Sequence, residues 1–133
     1  MSETHQLTDL QIAIMRVLWE REQATVVEIC DALRPDRPLA LTTVATLLSR
    51  LEKRGVVTHE TRARQYVYRA SVSESEVRRS MVSELTERLF DGDVAELMSH
   101  LLTGREISPG DLDRIKAMLD EHAGQKERKT HAR

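Results

Sequence analysis

Thr42-Thr43-Val44-Ala45-Thr46-Leu47-Leu48-Ser49-Arg50-Leu51-Glu52-Lys53-Arg54-Gly55 is followed at once by Val56-Val57-Thr58-His59-Glu60 and, four residues later, by Gln65-Tyr66-Val67-Tyr68-Arg69. In the first run Val44, Leu47, Leu48 and Leu51 recur three or four apart, the spacing of one helix face. The run predicts a helix from about Leu41 to Arg54, with Gly55 as the residue just past its end. Its start is poorly marked, because Ala40 is a weak cap. After Gly55 the period drops to two, which predicts a pair of strands over 56–60 and 65–69. The link Thr61-Arg62-Ala63-Arg64 is short and basic. It makes the pair a hairpin, although it lacks the Asn-Gly or Asp-Gly that would select a turn type.

Upstream, Leu7-Thr8-Asp9-Leu10-Gln11-Ile12 opens a helix. Thr8 and Gln11 form a capping box, and Leu7 is spaced to staple against Ile12. Leu10, Ile14, Val17 and Leu18 give it a buried stripe, and Trp19 near its end is read as core. Thr25-Val26-Val27-Glu28 is a second capping box, starting a short helix through Ile29, Ala32 and Leu33 that Pro35 ends. A polar loop follows over 34–38. Three short helices and a hairpin in about 65 residues match the winged helix-turn-helix arrangement.

Downstream the pattern is helical. Ser73-Glu74-Ser75-Glu76 is a further capping box, followed by Val77, Met81, Leu85 and Leu89 at spacing four, with Phe90 beside them. After Gly92, the residues Val94, Leu97, Met98, Leu101 and Leu102 form a second segment, closed by Gly104. Ser108-Pro109-Gly110-Asp111 starts a last helix lined by Leu112, Ile115, Met118 and Leu119. Helices this short have little core of their own. Val77, Met81, Leu85, Leu89, Leu97, Met98, Leu101, Leu112, Ile115 and Leu119 are therefore expected at a dimer interface, where methionines suit an adaptable contact. A monomer with these helices folded back on the reader is the competing arrangement. The fold class is thus mainly α with a small β-hairpin wing. The expected domains are a winged-helix DNA-binding domain over 5–71, a helical dimerisation arm over 72–124, and a disordered polar tail over 125–133.

The 133 residues carry a net charge of −2, unpromising for a partner of nucleic acid, but the charge is unevenly distributed. Residues 34–69 hold eight Lys/Arg against three Asp/Glu, residues 71–124 hold six against twelve, and the last nine hold four against one. The basic excess falls on the third helix and the hairpin tip, as expected where one part of a chain faces phosphates.

Thr43 and Thr46 share a helix face and are the candidates for base edges in the major groove; Arg50 continues that face one turn later and is within reach of either guanine or phosphate. Thr42, at the helix start, is read as a phosphate contact, with a plain capping role as its alternative. Lys53 and Arg54 are expected on the backbone. Arg62 and Arg64 at the wing are expected on a phosphate chain or in the adjacent minor groove. His59 is read as structural, and Tyr66 and Tyr68 as wing packing.

The sequence resembles the penicillinase-repressor family, of the BlaI/MecI/CopY type, over roughly residues 5–122. The resemblance rests on Leu7-Thr8-Asp9-Leu10-Gln11-Ile12-Ala13-Ile14-Met15-Arg16-Val17-Leu18-Trp19, on the run from Thr42 to Gly55, and on Tyr66-Val67-Tyr68. It implies a dimeric repressor binding double-stranded DNA at a palindromic promoter operator, with β-lactam-resistance-type regulation as one implied role. It also implies a regulatory protease acting in the dimerisation arm. The position resembling the family's Asn-Phe cleavage bond is His100-Leu101 here. The copper-responsive branch carries a C-terminal cysteine-rich motif, whereas Cys30 is the single cysteine of this chain.

An enzyme is not expected. The sequence has no glycine-rich phosphate loop, no metal-ligand spacing and no nucleophile motif, so no catalytic residue, metal or cofactor is assigned. Cys30 has no partner for a disulfide and is read as a small buried residue. No stretch approaches the ~20 apolar residues of a membrane span, and the opening residues lack the pattern of a signal peptide. The expected location is the cytoplasm. Two other functions compete. One is a winged-helix module that binds protein only, which would need an apolar rather than a Thr- and Arg-rich third helix. The other is a ligand-sensing repressor, disfavoured by an aromatic content of 3%.

Overall fold

The computed structural model describes residues 5–104 and 106–131, and side-chain surroundings up to residue 125. The elements run α1 (Asp9–Arg21), β1 (Ala24–Thr25), α2 (Val26–Leu33), α3 (Leu41–Lys53), β2 (Val57–Arg62), β3 (Gln65–Ala70), α4 (Glu74–Phe90), α5 (Val94–Thr103) and α6 (Pro109–His131). They divide into two compact units, residues 1–85 and 86–133.

In the first unit, helix starts lie where side chains satisfy the free N–H groups of the first turn. Thr8 Oγ1 accepts from the Gln11 amide at 3.2 Å, and the Gln11 side chain accepts from the Thr8 amide at 3.0 Å. Thr25 and Glu28 repeat this reciprocal pair at α2. The Thr25 amide, and after it the Thr25 hydroxyl, hold the Glu28 carboxyl below its ordinary range. The start of α3 differs: Ala40 makes no side-chain cap. Its end is built more firmly. Gly55 takes a φ of 78°, its amide donates to the Glu52 carbonyl at 3.0 Å, and the Val56 amide donates to the Leu51 carbonyl at 2.9 Å. This is the paired closure that a left-handed glycine permits, with Val56 and Leu51 both buried beneath it.

The sheet has three antiparallel strands in the order β1-β3-β2, so the expected hairpin gains a strand. Ala24 pairs with Tyr68 and Thr25 with Val67. Two residues cannot display a period of two, and Thr25 also caps α2, so nothing in the pattern marks β1. The expected link over 61–64 contracts as well. Arg62 pairs with Gln65, which leaves Ala63 and Arg64 as the loop. Their φ angles are 48° and 66°, the left-handed pair that continues the twist of a tight hairpin.

The core of this unit gathers Ile14, Met15 and Leu18 of α1, Ile29 of α2, Val44, Leu48 and Leu51 of α3, and Val56 and Val57 entering β2, each 2% exposed or less. Leu10, expected in the buried stripe, is only half-buried, and Met15 takes a core place instead. Trp19 packs against the core, and its indole N–H donates to the Val72 carbonyl at 2.9 Å.

Two of the residues expected at a dimer interface pack within this unit. Val77 is 3% exposed within this core, and Met81 packs against it. The first compact unit accordingly extends through Leu85, into α4. Ser73, whose hydroxyl accepts from the Glu76 amide at 3.0 Å, marks a new helix, but this cap carries no information about which face that helix buries.

The second unit holds the end of α4, α5 and α6. Asp91 and Gly92, with φ of 49° and 82°, turn the chain out of α4, and the Gly92 amide donates to the Thr86 carbonyl at 3.0 Å. Asp93 caps α5 by accepting from the Glu96 amide. Ser108 and Asp111 cap α6 reciprocally. The helix then runs to His131, through the residues from 125 onward expected to be a disordered tail; residues 132 and 133 lie outside the described residues. Gly124 costs a helix about 1 kcal/mol relative to alanine and does not by itself end one. The following Gln-Lys-Glu-Arg-Lys run consists of good helix formers.

Candidate nucleic-acid interface

Helix α3 is sharply two-sided. Val44, Leu48 and Leu51 are 0% exposed and fix it to the core. Thr42, Thr43, Thr46, Arg50, Lys53 and Arg54 are all exposed. Burying each large apolar side chain contributes about 1.5–3 kcal/mol, so the helix cannot rotate to exchange these faces. Thr43, Thr46 and Arg50 form one row along it, as spacings of three and four require. Arg50 and Lys53 also lie in the last turn, where cations complement the helix dipole.

The wing presents its bases differently. Arg64 is exposed at the left-handed loop. Arg62 is exposed too, but its guanidinium is paired with the Glu60 carboxylate, which also receives Arg69 at 3.2 Å. Arg69 reaches Gln23 in addition, at 3.2 Å. Arg64 is therefore the freer of the two wing candidates, while Glu60 competes for the Arg62 guanidinium.

Between α2, α3 and the wing runs an open groove of about 490 Å³, lined by Thr25 and Val27, by Ser49 and Glu52, and by Arg64 and Tyr66 among others. Sequence reasoning missed what stands beside it. His59 Nδ1 lies 2.5 Å from Glu52 Oε2, tying β2 to α3, and the imidazole stacks on Tyr66 with ring centres 4.0 Å apart. Tyr68 is buried, and burial pushes its hydroxyl above the usual range. Tyr66, expected to pack, stacks on His59 with half its surface open. A seven-residue separation between an acid on a helix and a histidine on a strand is not a recognisable motif, so no sequence signal marks the pair.

In the second unit, Leu97, Met98, Leu101, Leu112 and Ile115 are half-buried, and Leu89 and Leu119 are 71% and 63% exposed. Leu85, the last residue of the first unit, is 43% exposed. Met98, Leu101, Ile107, Ile115 and Met118 line an apolar groove of about 400 Å³. The His100-Leu101 bond lies within α5, where the His100 ring meets Phe90 edge to face at 5.9 Å. Cys30 is buried, and burial raises its thiol above the usual range. Among the described residues, no group of three or more His, Cys, Asp or Glu is placed to hold a metal ion, and no helix is long and apolar enough to cross a membrane.

The chain is 23% identical over 126 residues to the penicillinase repressor of Bacillus licheniformis, covering 95% of this chain and 98% of that one. It is 18% identical over 119 residues to the methicillin resistance regulatory protein MecI of Mammaliicoccus sciuri, covering 90% and 97%. Among solved structures, the DNA-binding domain of the repressor BlaI superposes with a TM-score of 0.50 at 28% identity, over 57% of this chain and 93% of that domain. A Staphylococcus aureus MepR variant bound to an oligodeoxyribonucleotide shares the fold, with a TM-score of 0.51 at 21% identity over 90% of this chain and 79% of that one. A model of the penicillinase repressor family matches residues 7–121, nearly the whole sequence, and the chain belongs to that family.

Proposed function

We propose that the chain is a transcriptional repressor that acts as a homodimer on a dyad-symmetric promoter operator. The observation that carries this reading is the two-sidedness of α3. Its apolar face is locked in the core while every threonine and cation assigned to DNA is solvent-facing, with the basic wing loop following it in the chain. In this reading Thr43, Thr46 and Arg50 meet base edges in the major groove. Thr42, Lys53 and Arg54 hold phosphates, and Arg64, with Arg62, follows the backbone or the adjacent minor groove. The uncapped start of α3 leaves backbone N–H groups that suit a phosphate.

The dimer half of the proposal is supported by the apolar surface of the second unit. Leu89, Val94, Leu102, Met118 and Leu119 are each more than half exposed, an arrangement that invites a protein partner. Two linked readers raise each other's effective concentration and read a palindrome. Relief of repression by a protease acting near His100-Leu101, and control of a β-lactam-resistance response, belong to the same proposal through the family.

The test is gel shift and footprinting with DNA from upstream of the chain's own gene, at two salt concentrations, together with the molar mass in solution. A palindromic footprint, weakened by Arg50→Ala and falling steeply with salt as about six to ten phosphate contacts require, supports the reading. A folded dimer with no specific shift overturns the DNA half, and the mass of one chain at micromolar concentration overturns the dimer half.

A further inference from the structure

The wing and α3 are joined by a charge couple that reading bases does not require. His59 on β2 and Glu52 on α3 approach to 2.5 Å, and both side chains are half-buried. The imidazole also lies on Tyr66, with 21° between the ring planes, and tilts against its cross-strand partner Tyr68 at 5.4 Å. One ring is thus held between a helix carboxylate and two strand aromatics. Glu52 and Tyr66 line the groove between α3 and the wing, where Glu52 is the acid and Arg64 the base. In sequence Glu52 stands between Arg50 and Lys53, two residues assigned to DNA. An uncompensated carboxylate there repels the phosphates those neighbours attract.

We propose that His59 and Glu52 are positioning residues that hold the wing on the reading helix and make DNA affinity fall as pH rises. The proposal rests on the DNA-binding reading above. Protonated His59 cancels the Glu52 charge; neutral His59 still donates through Nδ1 but leaves that charge in place. The groups facing the imidazole are Glu52 from α3 and Tyr66 and Tyr68 from β3, with Arg64 at the groove rim. On its own strand, Glu60 is already engaged by Arg62 and Arg69. Tyr68 is shifted away from neutrality of pH, not toward it. The imidazole is the group type here that changes charge between about pH 5 and 8. Phosphates favour its protonated form, so the added affinity is present at low pH and is lost as pH rises through the histidine range. A threefold effect per protomer gives about a tenfold effect for two, the size expected of one modest charge contact each.

The experiment uses the full chain and a fluorescent duplex carrying the footprinted sequence. Anisotropy is read from about pH 5.5 to 8.5 at constant ionic strength, across the range in which histidine titrates. Wild-type affinity is expected to fall about tenfold. His59→Gln is expected to lie flat at the wild-type high-pH level, and His59→Arg flat at the low-pH level. A role in folding alone would weaken both variants alike, and that result overturns the proposal, as does a wild-type slope in His59→Gln. Imidazole nitrogen NMR of the free protein supplies a readout without DNA. Nδ1 is expected to carry the proton of the neutral ring, and Glu52→Ala to release that preference; an Nε2-protonated ring in the wild type overturns the couple. Absence of DNA binding at every pH overturns the DNA reading, and the pH dependence with it, whatever the NMR reports.

Discussion

The wing loop sets stability against function. Ala63 and Arg64 adopt φ of 48° and 66°, a region that costs an L-residue with a Cβ about 1–2 kcal/mol. A two-residue hairpin of this sign is favoured by Asn-Gly, because asparagine tolerates the left-handed region and glycine enters it freely. Replacing Ala63→Asn is expected to stabilise the first unit by about 0.5–1 kcal/mol, and Arg64→Gly by about 1 kcal/mol after the extra entropy of an unfolded glycine is deducted. Together they amount to about 1.5–2 kcal/mol, which for a unit of this size raises Tm by about 6–16 °C. DNA binding separates the two positions. Ala63→Asn keeps every cation and leaves affinity unchanged. Arg64→Gly removes one phosphate contact per protomer, so the slope of log affinity against log salt falls by about 0.9 for each. The assay is thermal unfolding beside salt-dependent anisotropy on the same proteins. Loss of stability in Ala63→Asn would refute the strain argument. An unchanged salt slope in Arg64→Gly would remove Arg64 from the interface.

Three further outcomes follow from individual residues. Ala40→Asp gives α3 the side-chain cap it lacks and is expected to add about 1 kcal/mol in denaturant unfolding. It also sets a carboxylate against the DNA phosphates, so affinity measured by gel shift drops while stability rises. Leu48→Ala, at a side chain 0% exposed, is expected to cost about 2–5 kcal/mol, read as a lower urea midpoint. The Glu28 carboxyl is held below its ordinary 4.5 by the Thr25 backbone amide and then by the Thr25 hydroxyl. A lowered folded pKa means stabilisation that is present above the unfolded value and lost as pH falls through the folded one. Glu28→Gln is therefore expected to lie below the wild type at pH 7 and to converge with it as pH falls, flattening the acid limb of the unfolding midpoint.

The elements that announce themselves locally were legible in the residues alone. Thr8 with Gln11 and Thr25 with Glu28 fix where α1 and α2 begin, because each pair satisfies backbone donors within four residues of itself. Gly55 ends α3 for an equally local reason, the left-handed φ that closes the last turn. The change of period after it separates helix from hairpin, and the threonine and arginine row on α3 follows from helical geometry once the apolar stripe is known. What depends on distant partners was not legible. Strand β1 exists because β3 lies beside Ala24 and Thr25, and two residues carry no pattern of their own. Val77 and Met81 have the spacing of an interface stripe, yet Val77 lies in the core of the first unit and Met81 packs against it, since a stripe says that a face is buried and not against what. The loop strain at Ala63 and Arg64 comes from a register that only strand pairing sets. Glu60 and Glu52 read as incidental acids in a basic segment. Only the tertiary structure makes one the partner of Arg62 and Arg69 and the other the partner of His59, because charge pairing is decided by distance across elements rather than by order along the chain.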